Sequence, residues 1–524
     1  MPQGELMKSA VAGPGHPPRR PVSRDLESNV DYVNRKMGVG ISYEVIFRQM
    51  RIGDVPVASY IINGFFQTFT NIQILTDAEL RHGEAPHPES EAPENGKQER
   101  LSEKTRRVLR SLLDYRLAFA QVTLCWDLDE AILQVMSGPM VMFIDGEDAA
   151  IIVDTRDYPD RTPSQPVVEQ LVRGPRDGFV ENVITNTALI RRRVRDPGLR
   201  FELVKVGVRS QTDVAVGYIE GLTDPHLVHK IKDRLLHTDI DGIPTASEAV
   251  AEILGDAPWN PMPTVRMTER PDVAAINLFD GHVLVVVDTS PEVIVAPVTL
   301  PQLLQHPEDY QVNPVMGTYL RWIEFIAFFG ALLVPPLWLL LATHTGIRSH
   351  FPFLSFIGAK KPTGLPLALQ FTLAEISIDV LRRSILNSPS ALASTFGILG
   401  AVVLGSVATK AGIFTPEALV YVTFAALSSF AISYVELGMV SRLIRLSLIL
   451  LEWIWALPGI VIGVLFWSML IVRTDSIGVP YLWPLLPFNW SALRTILVRG
   501  PVTGRAPRPV ILHPRDRLRG GNVA

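Results

Sequence analysis

Two carboxylates one helical turn apart, Glu375 and Asp379, lie in a segment, Leu365 to Arg383, that is otherwise largely apolar. Residues four apart share one face of a helix, so the two acids point the same way. In a lipid-exposed helix each would cost about 2.5–3.5 kcal/mol. The segment therefore reads as interfacial, re-entrant or facing a water-filled space. An amphipathic surface helix is the plain version. The functional version lines a cation path and makes Glu375 and Asp379 the candidate ion-path residues. A second cluster is basic: Arg173, Arg176, Arg191, Arg192, Arg193 and Arg195 fall in one short stretch. They suit an anion, acidic lipid or protein interface, with a structural ion-pair network as the default.

Other chemistry is sparse. His226 and His229 are three apart on an expected helix, but no third ligand accompanies them, so no metal is expected and two surface histidines are the better reading. Asp154 and Asp157 flank Arg156 at a strand end, where turn and salt-bridge roles fit better than acid–base catalysis. There is no phosphate-binding glycine loop, no dinucleotide fingerprint and no His-Glu-x-x-His helix. Neither an enzyme nor a cofactor is expected. Nucleic acid is not an expected partner either: the net charge is −4, and no reading module or stacking aromatics accompany the arginines.

The elements that must position these residues are distributed asymmetrically. About three hundred residues of mixed polarity precede a hydrophobic block, Tyr319 to Val472, in a chain of 524 residues that is 47% apolar and 19% charged. Phe325 to Thr343 carries no charge, and as a helix its 19 residues rise about 28 Å, close to the roughly 30 Å of bilayer hydrocarbon. Pro335-Pro336 inside it removes two donors, which should kink the helix and leave carbonyls needing partners from elsewhere. Further spans are expected at Ser388 to Thr409, at Ala418 to Tyr434 behind a Thr415-Pro416 cap, and at Leu446 to Val472. Small residues at Gly397, Ala401 and Gly405 form a stripe in the second, a candidate helix contact within the chain or between subunits.

The first 24 residues lack an apolar core of roughly 7–15 residues and mix Pro, Gly and Arg, which reads as a disordered tail and places the head in the cytoplasm. The single cysteine, Cys125, fits a reducing compartment. Seven arginines between Arg494 and Arg519 against Asp516 mark the C-terminal tail as cytoplasmic too. An even number of crossings follows: four spans, with Leu365 to Arg383 not crossing and with Lys360-Lys361 and Arg442/Arg445 outside.

In the head, Pro139 to Ile144 turns at Asp145-Gly146 and returns through Ala149 to Val153, and His282 to Val287 turns at Asp288 to Pro291 and returns through Val293 to Val298. These are two expected hairpins in two subdomains. Phe201 to Gly207 and Val214 to Ile219 read as strands, and Asp224-Pro225 starts a helix to Leu236. His82 to Lys104, rich in Pro, Gly and Glu, reads as a flexible loop. The expected architecture is an α/β cytoplasmic head of two subdomains followed by an all-α polytopic membrane domain. Its divisions are a tail 1–28, subdomains 29–135 and 136–318, a membrane domain 319–472 and an Arg-rich tail 473–524.

Several stretches carry a resemblance. Ser137 to Asp145, Arg173 to Pro197, Val208 to Val216, Glu269 to Val273, Pro335-Pro336-Leu337-Trp338, Ser433-Tyr434-Val435-Glu436-Leu437 and Gly478 to Pro484, in order from about Asn29 to Pro514, resemble the A subunits of the GerA family of spore germination proteins. Tyr319 to Trp322, Ala342 to His344, Pro484 to Phe488 and Leu512 to Asp516 point to a sporulation branch of it. The family pattern often has Pro-Ser-Tyr-Glu-Leu where this chain has Ile432-Ser433-Tyr434-Val435-Glu436-Leu437. The resemblance implies a multi-pass protein of the spore inner membrane. It also implies a homo-oligomer that works with other germination membrane proteins and forms or supports an ion-release channel. A membrane-anchored scaffold that docks those proteins without conducting is the alternative.

Overall fold

A computed structural model of the chain describes residues 20–52, 55–64, 122–153, 173–255, 259–344, 364–387, 402–501 and 508–516, with 166, 169, 257, 346, 357, 358, 395, 397, 398 and 400 between them. The expected loop 82–104 and the pair Asp154 and Asp157 lie outside the described residues.

The head holds two five-stranded sheets. The first contains β1 (Val45–Ile52), β2 (Val55–Ile62), β3 (Val122–Cys125), β4 (Met140–Ile144) and β5 (Ala150–Val153) in the order β1-β2-β4-β5-β3. The second contains β6 (Leu199–Val206), β7 (Thr212–Ile219), β8 (Arg266–Thr268), β9 (Val283–Val287) and β10 (Val293–Ala296) in the order β6-β7-β9-β10-β8. Adding five to each strand number maps one sheet onto the other. Helices repeat as well: α1 (Leu26–Met37) precedes the first sheet and α2 (Leu128–Met136) precedes β4, while α3 (Val183–Arg193) precedes the second sheet. In the second unit α4 (Pro225–Leu236) and α5 (Ser247–Leu254) lie between β7 and β8, and α6 (Pro271–Asp280) precedes β9.

Both expected hairpins form, as β4 with β5 and β9 with β10. The boundary expected at 135/136 is wrong, because β4 and β5 pair with β2 and β3 and so complete the first sheet. Every pairing in the two sheets is antiparallel among the described residues, which show none of the parallel crossovers of a wound α/β sheet. Side chains alternate between faces with the two-residue period of a strand. On β9, Val283, Val285 and Val287 meet α4 and α5, while Leu284 and Val286 meet α3 and α6. Asp224 accepts from the His226 amide and Pro225 opens the first turn, which starts α4 where the sequence placed it.

The helical part begins at α7 (Pro314–Thr343), capped by Asn313, and continues with α8 (Leu367–Leu386), α9 (Pro416–Phe430) and α10 (Val435–Arg473). Thr415 caps α9, accepting from the Ala418 amide. α10 is not one rod. Ala456 has φ 53° and ψ −132°, which no helix adopts, and the Trp467 indole N–H donates to Ser447 Oγ at 2.8 Å. Residues twenty apart in a straight helix are separated by about 30 Å. The chain therefore doubles back at Ala456-Leu457-Pro458 into a helical hairpin. A Cβ on Gly459 would collide with the Leu451 carbonyl, so only glycine lets the arms approach this closely.

Direction follows from contacts. α7 leaves the head and ends near the far tip of the first arm of α10, where Thr343 Oγ1 donates to Glu452. α8 starts at that far end, its Phe371 against Trp338, and returns with Arg382 over the Phe430 ring near the head. Gly400 then lies against Leu381, and Ala408 joins the Phe371–Phe414 core at the far end again. α9 runs back to the head, and the hairpin goes out and returns. This departs from the expected plan, in which Leu446 to Val472 was one span and Leu365 to Arg383 ran apart. Beyond α10, β11 (Asp475–Ser476) and β12 (Val479–Pro480) form a ribbon against the head, so 473–524 is not a separate tail. Ser476 Oγ accepts from the Val298 amide at 2.9 Å, and Tyr481 joins the core of the second sheet.

Candidate functional site: a charged lock inside the helical bundle

Proline lacks the amide hydrogen that would bond the carbonyl four residues earlier. Pro335 thus leaves Ala331 O without its helical donor, yet α7 stays helical through both prolines. The donor comes from another helix: Arg445 Nη1, on the first arm of α10, reaches Ala331 O at 2.8 Å. The same guanidinium grips Glu375 of α8 with both edges, Nε to Oε1 and Nη2 to Oε2, each at 2.8 Å. Nη1 also lies 3.4 Å from Ser429 Oγ on α9. One fully buried arginine therefore ties four helical segments together. Such two-pronged pairing is the strong form of a charged hydrogen bond.

One turn nearer the head, Arg442 pairs with Asp379. The acids are four apart on α8 and the arginines three apart on an antiparallel arm, so the pairs stack as two rungs. Glu375 is thus not presented to open water: both its oxygens are held by Arg445 and its side chain is 2% exposed. Asp379, at 41%, is the more open rung. Arg442 and Arg445, expected in a connection on the outer side of the membrane, lie inside the bundle. Two arginines one turn apart within an apolar run were the signal, complementary to the acid pair.

Two further locks join the bundle to the head. Glu324 of α7 accepts from the Ser433 amide at 2.8 Å and from its hydroxyl, fixing the corner between α9 and α10. The neighbouring Tyr434 hydroxyl donates to Val265 O at 3.3 Å, on the approach to β8. Arg321 Nε meets Asp309 Oδ2 at 3.2 Å and donates through Nη1 to the Thr495 and Ile496 carbonyls. Burial outweighs that arginine and raises the Asp309 carboxyl to about 6.

The remaining candidates separate. Arg191 is wholly buried, paired with Glu44 and bonded to the Asp196 and Leu199 carbonyls at 2.9 Å, so it joins the two sheets and is no part of an anion patch. Arg193 pairs with Asp177, while Arg173, Arg176, Arg192 and Arg195 are exposed. His226 and His229 lie on the exposed face of α4, and among the described residues no group of three or more His, Cys, Asp or Glu side chains is placed to hold a metal. Cβ atoms on Gly397 or Gly405 would meet nothing within 4 Å. Neither glycine is thus pressed against another helix among the described residues, and Ala401 lies outside them.

The model of the Bacillus/Clostridium GerA spore germination protein family matches residues 31–511. The chain belongs to this family. It is 38% identical over 498 residues to stage V sporulation protein AF of Bacillus subtilis (strain 168), covering 95% of this chain and 97% of that one. It is 30% identical over 504 residues to spore germination protein KA of the same organism, covering 95% and 89%. Among solved structures, the N-terminal domain of the A subunit of the Bacillus megaterium spore germinant receptor GerK3 aligns with 53% of this chain and 97% of its own, at 23% identity and a TM-score of 0.38. The GerA family is one of spore germination proteins. The apolar helix Pro314–Thr343 and the long apolar hairpin Val435–Arg473 suit association with a membrane.

Proposed function

We propose that the chain is a multi-pass membrane subunit of a spore germination assembly, that it oligomerises, and that it forms or supports an ion-release channel. The observation carrying this reading is the Arg445–Glu375–Ala331 lock. An anchor gains nothing from burying ionised groups among apolar helices, where they are costly and tend to mark ion or proton routes. The lipid-facing surface supports insertion: Ile326, Phe329, Val420, Phe424, Ile462 and Leu465 are all exposed on the bundle. Because the chain leaves the head in α7 and returns to it after the hairpin, the head and the Arg-rich C-terminal residues share one side, the cytoplasmic one by arginine count. Glu375 is neutralised within the subunit, so ions pass either by way of the half-open Asp379 rung or between copies along the uncovered Gly397 and Gly405 face.

The test is cation flux from vesicles containing the full chain. With Asp379→Asn, at the open rung, the release rate should change while the assembled size is kept. Wild-type vesicles that hold their cations under every germination-relevant condition would favour the scaffold reading. That reading draws its own support from the tight junction at Tyr434, Glu324 and Arg321.

A further inference from the structure

Two points fix where the helices leave the apolar zone on the head side. One is Trp322, three residues before the uncharged window of α7 begins; the other is Thr474, directly after the last residue of the α10 hairpin. An exposed aromatic element is attached at each point. At the first, the Trp322 indole N–H donates to Leu497 O at 3.1 Å, holding α11 (Trp490–Leu497) at that depth. The segment leading into α11 leaves Leu485, Leu486, Phe488 and Trp490 exposed, the last two by 67% and 64%, and of the eight residues of α11 only Ile496 is buried. At the second, Asn260 Nδ2 donates to Thr474 Oγ1 at 2.7 Å, and the adjoining Trp259 is 96% exposed.

We propose that residues 485–498, with Trp259, form a belt that lies in the headgroup zone of the bilayer and seats the head flat on the membrane surface. The occupant of this face is lipid. The patch is continuous with the exposed α7 residues Trp322, Ile323 and Ile326. Its composition is that of membrane–water boundaries, where Trp and Tyr place a ring in the apolar layer and a polar edge in water. Exposed Arg494 on α11 and Arg473 at the hairpin end stand at the same level, where arginine reaches phosphate. The inference rests on membrane insertion of the helices and is independent of ion conduction.

The test uses the full chain in nanodiscs of phosphatidylcholine and phosphatidylglycerol, with a nitroxide on one introduced cysteine at a time. Burial pushes the native Cys125 thiol up to about 12, so it stays unreactive, as the unsubstituted chain will verify. Labels replacing Phe488, Trp490, Val498 and Trp259 should collide more often with oxygen, which concentrates in lipid, than with a water-soluble nickel chelate. A label at Leu133 on α2, in the unit whose core contains no bundle residue, should do the reverse. A label at Val461 on α10 reports insertion separately. If Val461 reads as lipid while Phe488 and Trp490 read as aqueous, the belt is overturned and insertion stands. If all belt labels are shielded from both agents, the face meets a second copy, and the proposal again fails. An aqueous Val461 would overturn insertion itself.

Discussion

The two units of the head share a strand order and differ in what their cores touch. Phe201, Leu284 and Val295 of the second unit belong to one apolar core with Phe328, Leu437, Ile444 and Leu448 of the bundle. In the first unit, Tyr60, Val141 and Phe143 pack with α1 and α2, and among the described residues none from the bundle enters. The same topology thus yields one unit built as a platform on the helices and one carried by it. The connection between them is local and mostly polar, with Ala188 of α3 entering the first core and Tyr43 packing on the second. Besides Arg191–Glu44, it contains Tyr43 Oη with Thr187 Oγ1 at 2.7 Å and Arg200 Nη2 with Lys36 O at 2.9 Å. Gly38, with φ 66°, ends α1 where a Cβ would strike the Arg200 guanidinium. A rearrangement of the helices reaches the second unit through a continuous core and the first only through this smaller seam of polar bonds and the Ala188 contact.

The sharpest way to break this contrast is Glu375→Ala. It leaves Arg445 charged and buried without its carboxylate, a change that costs about 3–5 kcal/mol. Amide exchange should accelerate in α7 to α10 and in the second unit, while strands β2 and β4 stay protected. Equal acceleration in both units would show that the platform distinction is false. Glu44→Ala should cost a similar amount or somewhat less, about 3 kcal/mol, since Arg191 keeps two carbonyl partners. Its effect should fall between the units. Protease sensitivity should rise around residues 38–45 while flux and bundle stability are unchanged. Tyr434→Phe is the mildest, about 1–2 kcal/mol for the two long hydrogen bonds its hydroxyl makes. It should raise exchange at the Met267 amide, which donates to that hydroxyl at 3.4 Å, and leave the first unit untouched.

Much of the head was legible because its signals are local. Hairpin turns at Asp145-Gly146 and Asp288 to Pro291 bound short apolar runs, and an Asp-Pro pair starts α4. The division at 135/136 failed because strand pairing is not local: nothing between Ser137 and Val153 states that β4 will sit between β2 and β5. In the bundle, apolar length and the Thr415 cap were readable, and so was the need of the Ala331 carbonyl for an outside partner. The identity of that partner was not. Arg445 reads as a loop charge until Glu375 is known to face it across seventy residues. The hairpin was hidden for a related reason: Pro458 in a long apolar run looks like a kink until Trp467 is found beside Ser447.

The carbonyl freed by Pro335 also bears on the order of assembly. α7 is synthesised first, and its missing donor is encoded 110 residues later, at Arg445. Until the first arm of α10 arrives, α7 carries an unsatisfied acceptor that lipid cannot serve. A chain interrupted before that point keeps this flaw. The bond therefore closes only when the first arm of α10 is in place, and its absence would mark a fragment off from a finished subunit.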